Sequence, residues 1–342
     1  MSQSAEPAAT EGHSHKSFWL WVMCLTGVDY FSTLGYQPSI AFQNAGMLAP
    51  LATIVLVAVT LFGALPVYMY VARKSFSGQG SIGMLAKLVS GWPGKVLVLV
   101  LLGFAATDFV ITKTLSAADA AEHMIQNPGW PWREATTAGP DTSDQERQAI
   151  TEKRQSAEDR QRLVVTLSLL VLLGGMFMRG FREVVGLAVV LVGVYLLLNL
   201  VIIVNGTIFL SDHPDRVQLW WQRVQMGDWQ IKDEDRLIPG SGLLTVAALS
   251  ILIFPKLALG LSGFETGVAV MPLIKGDEDD RPGEPHGRIR STRKLLITAA
   301  AIMSFFLLTS SFIVCTLIPP EAFSRTIADD PAKKYALDRA LA

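Results

Sequence analysis

The chain has 342 residues, of which 50% are hydrophobic and only 17% are charged, and its net charge at pH 7 is −1. Such a composition is too apolar for an ordinary water-soluble domain, and the balanced charge gives no basis for binding nucleic acid. The apolar residues come in blocks that mostly exceed the roughly 18 residues of a spanning helix, which predicts an all-α polytopic membrane protein.

The apolar blocks predict seven spans, preceded by the polar residues 1–16. This first segment lacks the features of a secretory signal peptide and is expected to be a disordered cytoplasmic tail. The predicted spans are 17–42, 48–71, 96–121, 163–178, 183–205, 243–274 and 295–318. Cys24 and Cys315 both lie inside apolar blocks, where thiols act as small hydrophobic side chains rather than as a disulfide framework.

Basic residues between the spans set the predicted orientation. Segment 73–95 carries Lys and Arg but no acid, and the short turn at 178–183 carries Arg179 and Arg182. Because cytoplasmic loops are enriched in Lys and Arg, both segments are expected in the cytoplasm, with the N-terminus beside them and the protein in the inner cell membrane. The segments expected on the outside are 125–162, 206–242 and the C-terminal tail 319–342.

The two long outer segments differ in composition. The part of the first that follows Thr142 has the pattern of a solvated helix, with Thr142 or Ser143 as its N-cap. The second contains Trp220, Trp221 and Trp229, and tryptophan near the end of a span usually anchors at the lipid headgroups. The first is therefore expected to stand in water and the second at the membrane surface.

A polar interruption in the first span is the most unusual feature of the sequence. Residues 27–39, GVDYFSTLGYQPS, place Asp29 and several hydroxyls inside an apolar run. A carboxylate near the bilayer centre costs at least a few kcal/mol, so Asp29 must face protein, water or an ion. Gly27, Gly35 and Pro38 predict an unwound segment whose free backbone groups line a cavity. We interpret it as half of a substrate site.

The sixth span repeats this pattern. Its interruption combines glycines, a hydroxyl and an acid, among them Gly260, Ser262, Gly263 and Glu265. Paired interrupted spans in inverted repeats are typical of a transporter site at the bilayer midplane. Residues 17–205 would then form a five-helix repeat, and residues 243–318 the first two helices of a second repeat, which is incomplete as in a truncated chain. The alternative is that each acid only bridges helices through hydrogen bonds.

The third span carries a polar stripe. Asp108, Thr112 and Ser116 follow one another at intervals of four residues and share one helical face, whereas Lys113 and Asp119 lie on other faces. Carboxylate and hydroxyl oxygens can replace part of the hydration shell of a small cation. The alternative is that the hydroxyls bond to their own i−4 carbonyls, as Ser and Thr commonly do in membrane helices.

With these residues assembled, the chain resembles the amino acid, polyamine and organocation (APC) transporter superfamily, whose LeuT-like fold is a five-plus-five inverted repeat with discontinuous first and sixth spans. The closer resemblance is to KUP-type potassium and proton symporters of the KimA kind. Their site motifs are matched here by Asp29 with Tyr36, Thr112 with Ser116, and Ser262 with Glu265. Ser262 stands where that group has threonine.

The resemblance implies potassium uptake coupled to protons. It implies that K⁺ binds at Asp29, Tyr36, Thr112, Ser116, Ser262 and Glu265, with helix breaks at Gly27, Gly35, Gly260 and Gly263. It implies no cofactor beyond the transported K⁺ and H⁺. The expected partners are the lipid bilayer and a small cation or amino acid substrate, and a homodimer is left open.

Two other functions are weighed against this one. An amino acid permease of the same superfamily would cradle a substrate carboxylate, which Asp29 would repel, although Asp29 could hold the substrate ammonium. A non-transporting membrane scaffold or inactive fragment is suggested by the incomplete second repeat. An enzyme is not expected, because the sequence offers no set of nucleophile, base and orienting group.

Overall fold

The computed structural model describes residues 16–89, 91–132, 143–179, 181–229, 231, 238, 240, 242–258, 263–281 and 283–318. This part of the chain is α-helical, and four helical stretches are long and apolar enough to cross a membrane, namely Trp19–Lys74, Gly91–Gln126, Val184–Asp212 and His286–Leu317. The expectation of an all-α membrane protein is confirmed at this level. Nearly all of both predicted tails, 1–16 and 319–342, falls outside the described residues.

The first half of the chain forms short helices and then long ones. The first predicted span consists of α1 (Trp19–Tyr30) and α2 (Thr33–Ala45), and the second of α3 (Ala49–Ala58), a π-helical turn (Val59–Ala64) and α4 (Leu65–Lys74). The π turn precedes Pro66, whose missing N–H cannot bond to the preceding turn of the helix. The next elements are α5 (Gly80–Leu88), α6 (Gly91–Gln126), α7 (Asp144–Arg179) and α8 (Phe181–Asp212).

The charged segment after Ser143, predicted on the outside, and the predicted fourth span form one helix, α7. Ser143 and Glu146 make a reciprocal capping box at its start, because the Glu146 N–H donates to Ser143 Oγ while Ser143 N–H donates to Glu146 Oε2. Of the two predicted N-caps, Thr142 lies outside the described residues and Ser143 takes the position. The 36 residues of α7 span about 54 Å, which is well beyond the ~30 Å thickness of a hydrocarbon core.

The segment 206–242, predicted on the outside, contributes α9 (Pro214–Met226), which packs onto the protein. Trp220 is half-buried, and its Nε1 donates to the Met47 carbonyl at 3.0 Å. Trp229 is only 2% exposed, its Nε1 donates to the Val224 carbonyl at 2.7 Å, and its own carbonyl accepts the Met47 N–H. The prediction of a headgroup anchor is therefore wrong for Trp229, which is buried inside the protein, and stays a prediction for Trp220 and Trp221.

The last helices are α10 (Leu243–Leu257), α11 (Gly263–Ala269) and α12 (His286–Leu317). Helix α1 packs against α11 and helix α2 against α10, so the two interrupted spans run antiparallel. The backbone of Ser17 adds to this pairing, because its N–H donates to the Leu273 carbonyl and its own carbonyl accepts the Lys275 N–H, both at 2.8 Å. The start of the first interrupted span thus lies beside the end of the other.

The helices divide into an inner and an outer set. In the most apolar windows of Trp19–Lys74 and His286–Leu317, 50% and 44% of the residues are buried, against 6% in Gly91–Gln126 and 17% in Val184–Asp212. Helix α12 packs on α1, α2, α3 and α4. Helices α6 and α8 therefore expose apolar faces suited to lipid, while α1 to α4 and α12 build the core.

Asp280 caps the first turn of α12. Burial opposes its charged form, but the N–H groups of Gly287 at 2.6 Å and Arg288 at 2.9 Å outweigh this and lower the pKa of Asp280 below its ordinary value of 3.8. We expect Asp280→Ala to lower the free energy of unfolding by about 1 kcal/mol. Because the folded-state pKa is depressed, this contribution is present above the unfolded-state pKa and is lost as the pH falls through the folded-state value.

Thermal unfolding in detergent at neutral pH and below about pH 3 measures this difference. The matched control is Asp279→Ala, because Asp279 is an exposed neighbour of the same charge. A stability difference between the Asp280 variant and the parent that is unchanged by acid would contradict the capping role.

Candidate functional site

The interruption of the first span is shorter than predicted. It lies at Phe31 and Ser32, between Gly27 and Gly35, which both sit inside helices. Backbone angles at Phe31 stay near helical, with φ −87° and ψ −18°. Two carbonyls at the interruption are already occupied, because Ser32 Oγ donates to the Asp29 carbonyl and Thr33 Oγ1 to that of Tyr30. The predicted unwound segment with free carbonyls is thus replaced by a two-residue turn, and the hydroxyls of Ser32 and Thr33 occupy two of the carbonyls before it.

The second interruption separates α10 from α11, between Leu257 and Gly263. The predicted break at Gly260 and the predicted ligand Ser262 lie outside the described residues, whereas Gly263 is the first residue of α11. Gln37 of α2 reaches this point, and its Nε2 donates to the Leu257 carbonyl at 2.7 Å. A side chain of one interrupted span therefore occupies a carbonyl freed by the other.

Tyr30 fixes the distance between α1 and α11. A Cβ placed on Gly263 would lie 2.6 Å from Tyr30 Cδ1, and one on Gly267 would lie 2.9 Å from Tyr30 Oη. The Tyr30 ring also meets Phe264 edge to face, with centroids 5.6 Å apart. The two glycines thus let the Tyr30 ring lie directly on α11, which brings the neighbouring Asp29 to the same helix.

Asp29 is the most deeply buried acid of the site, at 2% exposure. Its Oδ2 accepts a hydrogen bond from Thr266 Oγ1 at 2.5 Å. Its Oδ1 forms an ion pair with Lys113 Nζ, although the spacing on α6 suggested that Lys113 faces elsewhere. A buried carboxylate needs a partner of opposite charge or several hydrogen bonds. In this structure Asp29 has both, so its charge is compensated from within the chain.

Glu265 has separate partners. Its carboxylate accepts hydrogen bonds from the Ser81 N–H at 2.9 Å and from Ser81 Oγ at 2.8 Å, at the first turn of α5. A helix N-terminus stabilises negative charge, which explains this placement. Glu265 follows Phe264, whose ring stacks on Tyr68 at 5.5 Å. The acids of the two interrupted spans therefore lie on neighbouring elements but bind different groups.

Gly80 makes room for Glu265. It has a left-handed φ of +66°, and a Cβ there would lie 2.0 Å from Glu265 Oε1. We expect Gly80→Ala to destabilise the protein by at least about 1–2 kcal/mol from backbone strain alone, and to push Glu265 away from Ser81. Melting temperature in detergent measures this. The control is Gly103→Ala in α6, where a Cβ meets no atom within 4 Å. Equal melting temperatures for the two variants would contradict the close fit.

The three residues of the polar stripe on α6 differ in burial and in hydrogen bonding. Thr112 is 3% exposed, so it faces the protein interior. Ser116 donates its hydroxyl proton to the Thr112 carbonyl at 2.8 Å, which is the i−4 bonding that competes with a ligand role. Asp108 is partly buried. Of the two hydroxyls, Thr112 is thus the better placed to face a ligand.

Tyr36 contributes a hydroxyl without a protein partner. The side chain is 4% exposed, and within the described part of the chain its Oη has no hydrogen bond. It lies within electrostatic reach of the carboxylates of Asp29, Asp108 and Asp119. The structure therefore brings Tyr36 and Asp29 together beside α6, while Glu265 lies toward α5.

Three residues of the site were missed by sequence reasoning. They are Lys113, Thr266 and Ser81. Thr266 adjoins Glu265 in the sequence and could have been found from that neighbour. Ser81 lies on a helix in a segment between predicted spans, where the sequence gives no indication of a role.

Comparisons with protein-family models, with curated proteins and with solved structures found no match to this chain. The assignment of a function therefore depends on the residues and geometry described above.

Proposed function

We propose that this chain is a secondary active transporter that takes up potassium together with protons, as a KUP-type member of the APC superfamily, in the inner cell membrane with its N-terminus in the cytoplasm. The observation that carries the proposal is the position of Asp29. Its carboxylate is buried on one of two antiparallel interrupted spans, and it accepts a hydrogen bond from Thr266 of the other. Such acids within membrane segments mark ion pathways by default.

The oxygen atoms around Asp29 suit an alkali cation. Carboxylate and hydroxyl oxygens of Asp29, Thr266 and Tyr36 can replace water around K⁺. Lys113 neutralises Asp29 in the present arrangement, so an arriving cation has to displace the Lys113 ammonium. One of the two acids, Asp29 or Glu265, carries the coupled proton. Alternating access then follows from rocking of one helix group against the other.

The ion pair also supports a second candidate, an amino acid permease of the same superfamily. Asp29 alone would repel a substrate carboxylate. Lys113 cancels that charge, and its side chain is 29% exposed, so its ammonium could attract the substrate carboxylate instead. The inverted-repeat fold, which pairs such interrupted helices, is common to both proposals.

Uptake in a bacterial host without its own potassium transporters separates the candidates. We expect the 342-residue chain to restore growth at low potassium and to accumulate labelled rubidium, with loss of uptake when a protonophore collapses the proton gradient. Accumulation of labelled amino acids without rubidium would overturn the potassium proposal in favour of the permease. If neither rubidium nor amino acids accumulate while the protein is present in the membrane, transport is contradicted and the interpretation as a non-transporting scaffold remains.

A further inference from the structure

A second group of oxygen atoms lies around Gly35, apart from the partners of Asp29. A Cβ on Gly35 would lie 3.3 Å from Tyr195 Oη and 3.7 Å from Asp119 Oδ2. The three residues belong to α2, α8 and α6, so three helices converge at a point where one of them has no side chain. The missing side chain leaves a space no larger than a methyl group beside a carboxylate and a hydroxyl.

Two buried hydroxyls near this space lack partners. Both oxygen atoms, Tyr195 Oη and Tyr36 Oη, are buried, and neither makes a hydrogen bond of normal geometry within the described residues, although Asn199 on the same helix interacts weakly with the Tyr195 hydroxyl. Tyr36 is 4% exposed and lies within electrostatic reach of both Asp119 and Tyr195. A buried polar group without a partner costs about 1–3 kcal/mol, so two of them beside one carboxylate indicate a ligand or ordered water that supplies the missing bonds.

The chemistry of the group favours a small cation. It offers one carboxylate and two hydroxyls. Among the described residues, the basic side chain paired with Asp119 is that of His123, one helical turn further along α6, with its Nε2 3.6 Å from Asp119 Oδ2. Lys113 is held by Asp29. Asp119 lies six residues beyond Lys113, or about 9 Å along α6, and its side chain is 35% exposed, against 3% for Asp29. The Asp119 side chain is therefore less deeply buried in the protein than that of Asp29.

We propose that Asp119 and Tyr195 beside Gly35, together with Tyr36, which also faces the Asp29 site, form an outer subsite for a monovalent cation, which the ion occupies before it reaches Asp29. This inference rests on the proposed transport of potassium. The subsite would strip part of the hydration shell at a place without a competing ammonium. The ion would then approach Asp29 already partly dehydrated, which lowers the cost of displacing Lys113.

Carbodiimide labelling of Asp119 tests the subsite without relying on transport. The purified chain is labelled in detergent with potassium or with choline at equal ionic strength, and the modified carboxylates are quantified by peptide mass spectrometry. We expect potassium to slow labelling of Asp119 at least threefold. Tyr195→Phe removes one ligand oxygen, and Gly35→Ala fills the space, so both should abolish the protection.

The control is Gly103→Ala, because it makes the same change in a helix where no atom lies within 4 Å of the new methyl group. Alanine also favours the helix over glycine by about 1 kcal/mol, so neither glycine variant should unfold. Protection retained in Gly103→Ala and lost in Gly35→Ala supports the subsite. Gel filtration verifies that each variant is folded.

The outcomes separate this inference from the proposed function. Rubidium uptake by the parent chain without potassium protection of Asp119 would overturn the subsite and leave the function standing. Protection of Asp119 without uptake would support a cation site and overturn transport. Protection that survives in both Tyr195→Phe and Gly35→Ala would place the ion elsewhere and overturn the subsite.

Discussion

Lys113→Met is expected to lower the free energy of unfolding by about 3 kcal/mol in potassium-free buffer. The reason is that Asp29, with a side chain only 3% exposed, loses its counter-charge, and breaking a buried pair from one side leaves an uncompensated charge. Potassium should restore much of this stability in the variant, because the cation can take the place of the ammonium and a bound ligand stabilises the folded state. Thermal unfolding in choline and in potassium buffers measures both effects.

Two further variants sharpen this experiment. Lys113→Arg keeps the positive charge and should lose less stability than Lys113→Met. The double variant Asp29→Asn with Lys113→Met removes both charges and should return to within about 1 kcal/mol of the parent, because residues in contact are not additive. A methionine variant as stable as the parent in choline, or one that potassium does not stabilise, would contradict the counter-ion role of Lys113.

Asp29→Asn is expected to abolish potassium uptake while the protein stays folded. The amide keeps the shape of the side chain and can still accept a hydrogen bond from Thr266, but it cannot attract a cation. Lys113 is 29% exposed and can turn its ammonium toward water, so the loss of stability should be smaller than for Lys113→Met. The measurement is labelled rubidium uptake, normalised to the folded protein in the membrane.

The control for this variant is Asp215→Asn, which makes the same change on an exposed first turn of α9. It should leave uptake unchanged. Uptake at the parental rate in Asp29→Asn would remove this carboxylate from the transport site.

The interrupted spans were predictable because their signals are local. An acid and two glycines in an apolar run identify the segments around Asp29 and Glu265, since a membrane tolerates such residues only where protein covers them. The antiparallel pairing of α1 with α11 agrees with the alternation of the predicted spans. These inferences needed no knowledge of which side chains touch.

Partners across helices could not be predicted in the same way. Helical periodicity put Lys113 on a different face from Thr112, but a side chain with four methylene groups reaches around its helix to Asp29. Glu265 binds Ser81, 184 residues away in the chain, on a helix inside segment 73–95, which the sequence predicts as a cytoplasmic loop. Spacing fixes the face from which a side chain starts, whereas tertiary packing decides where its charged end lies.

Direct binding of potassium to the purified protein tests the central claim most directly. Isothermal titration of the detergent-solubilised chain with potassium chloride, against a choline chloride blank, should give saturable binding for the parent and fewer bound ions per chain for Asp29→Asn, which keeps only the proposed outer subsite. Equal potassium binding by both proteins, or none by a folded parent, would contradict a cation site built around Asp29.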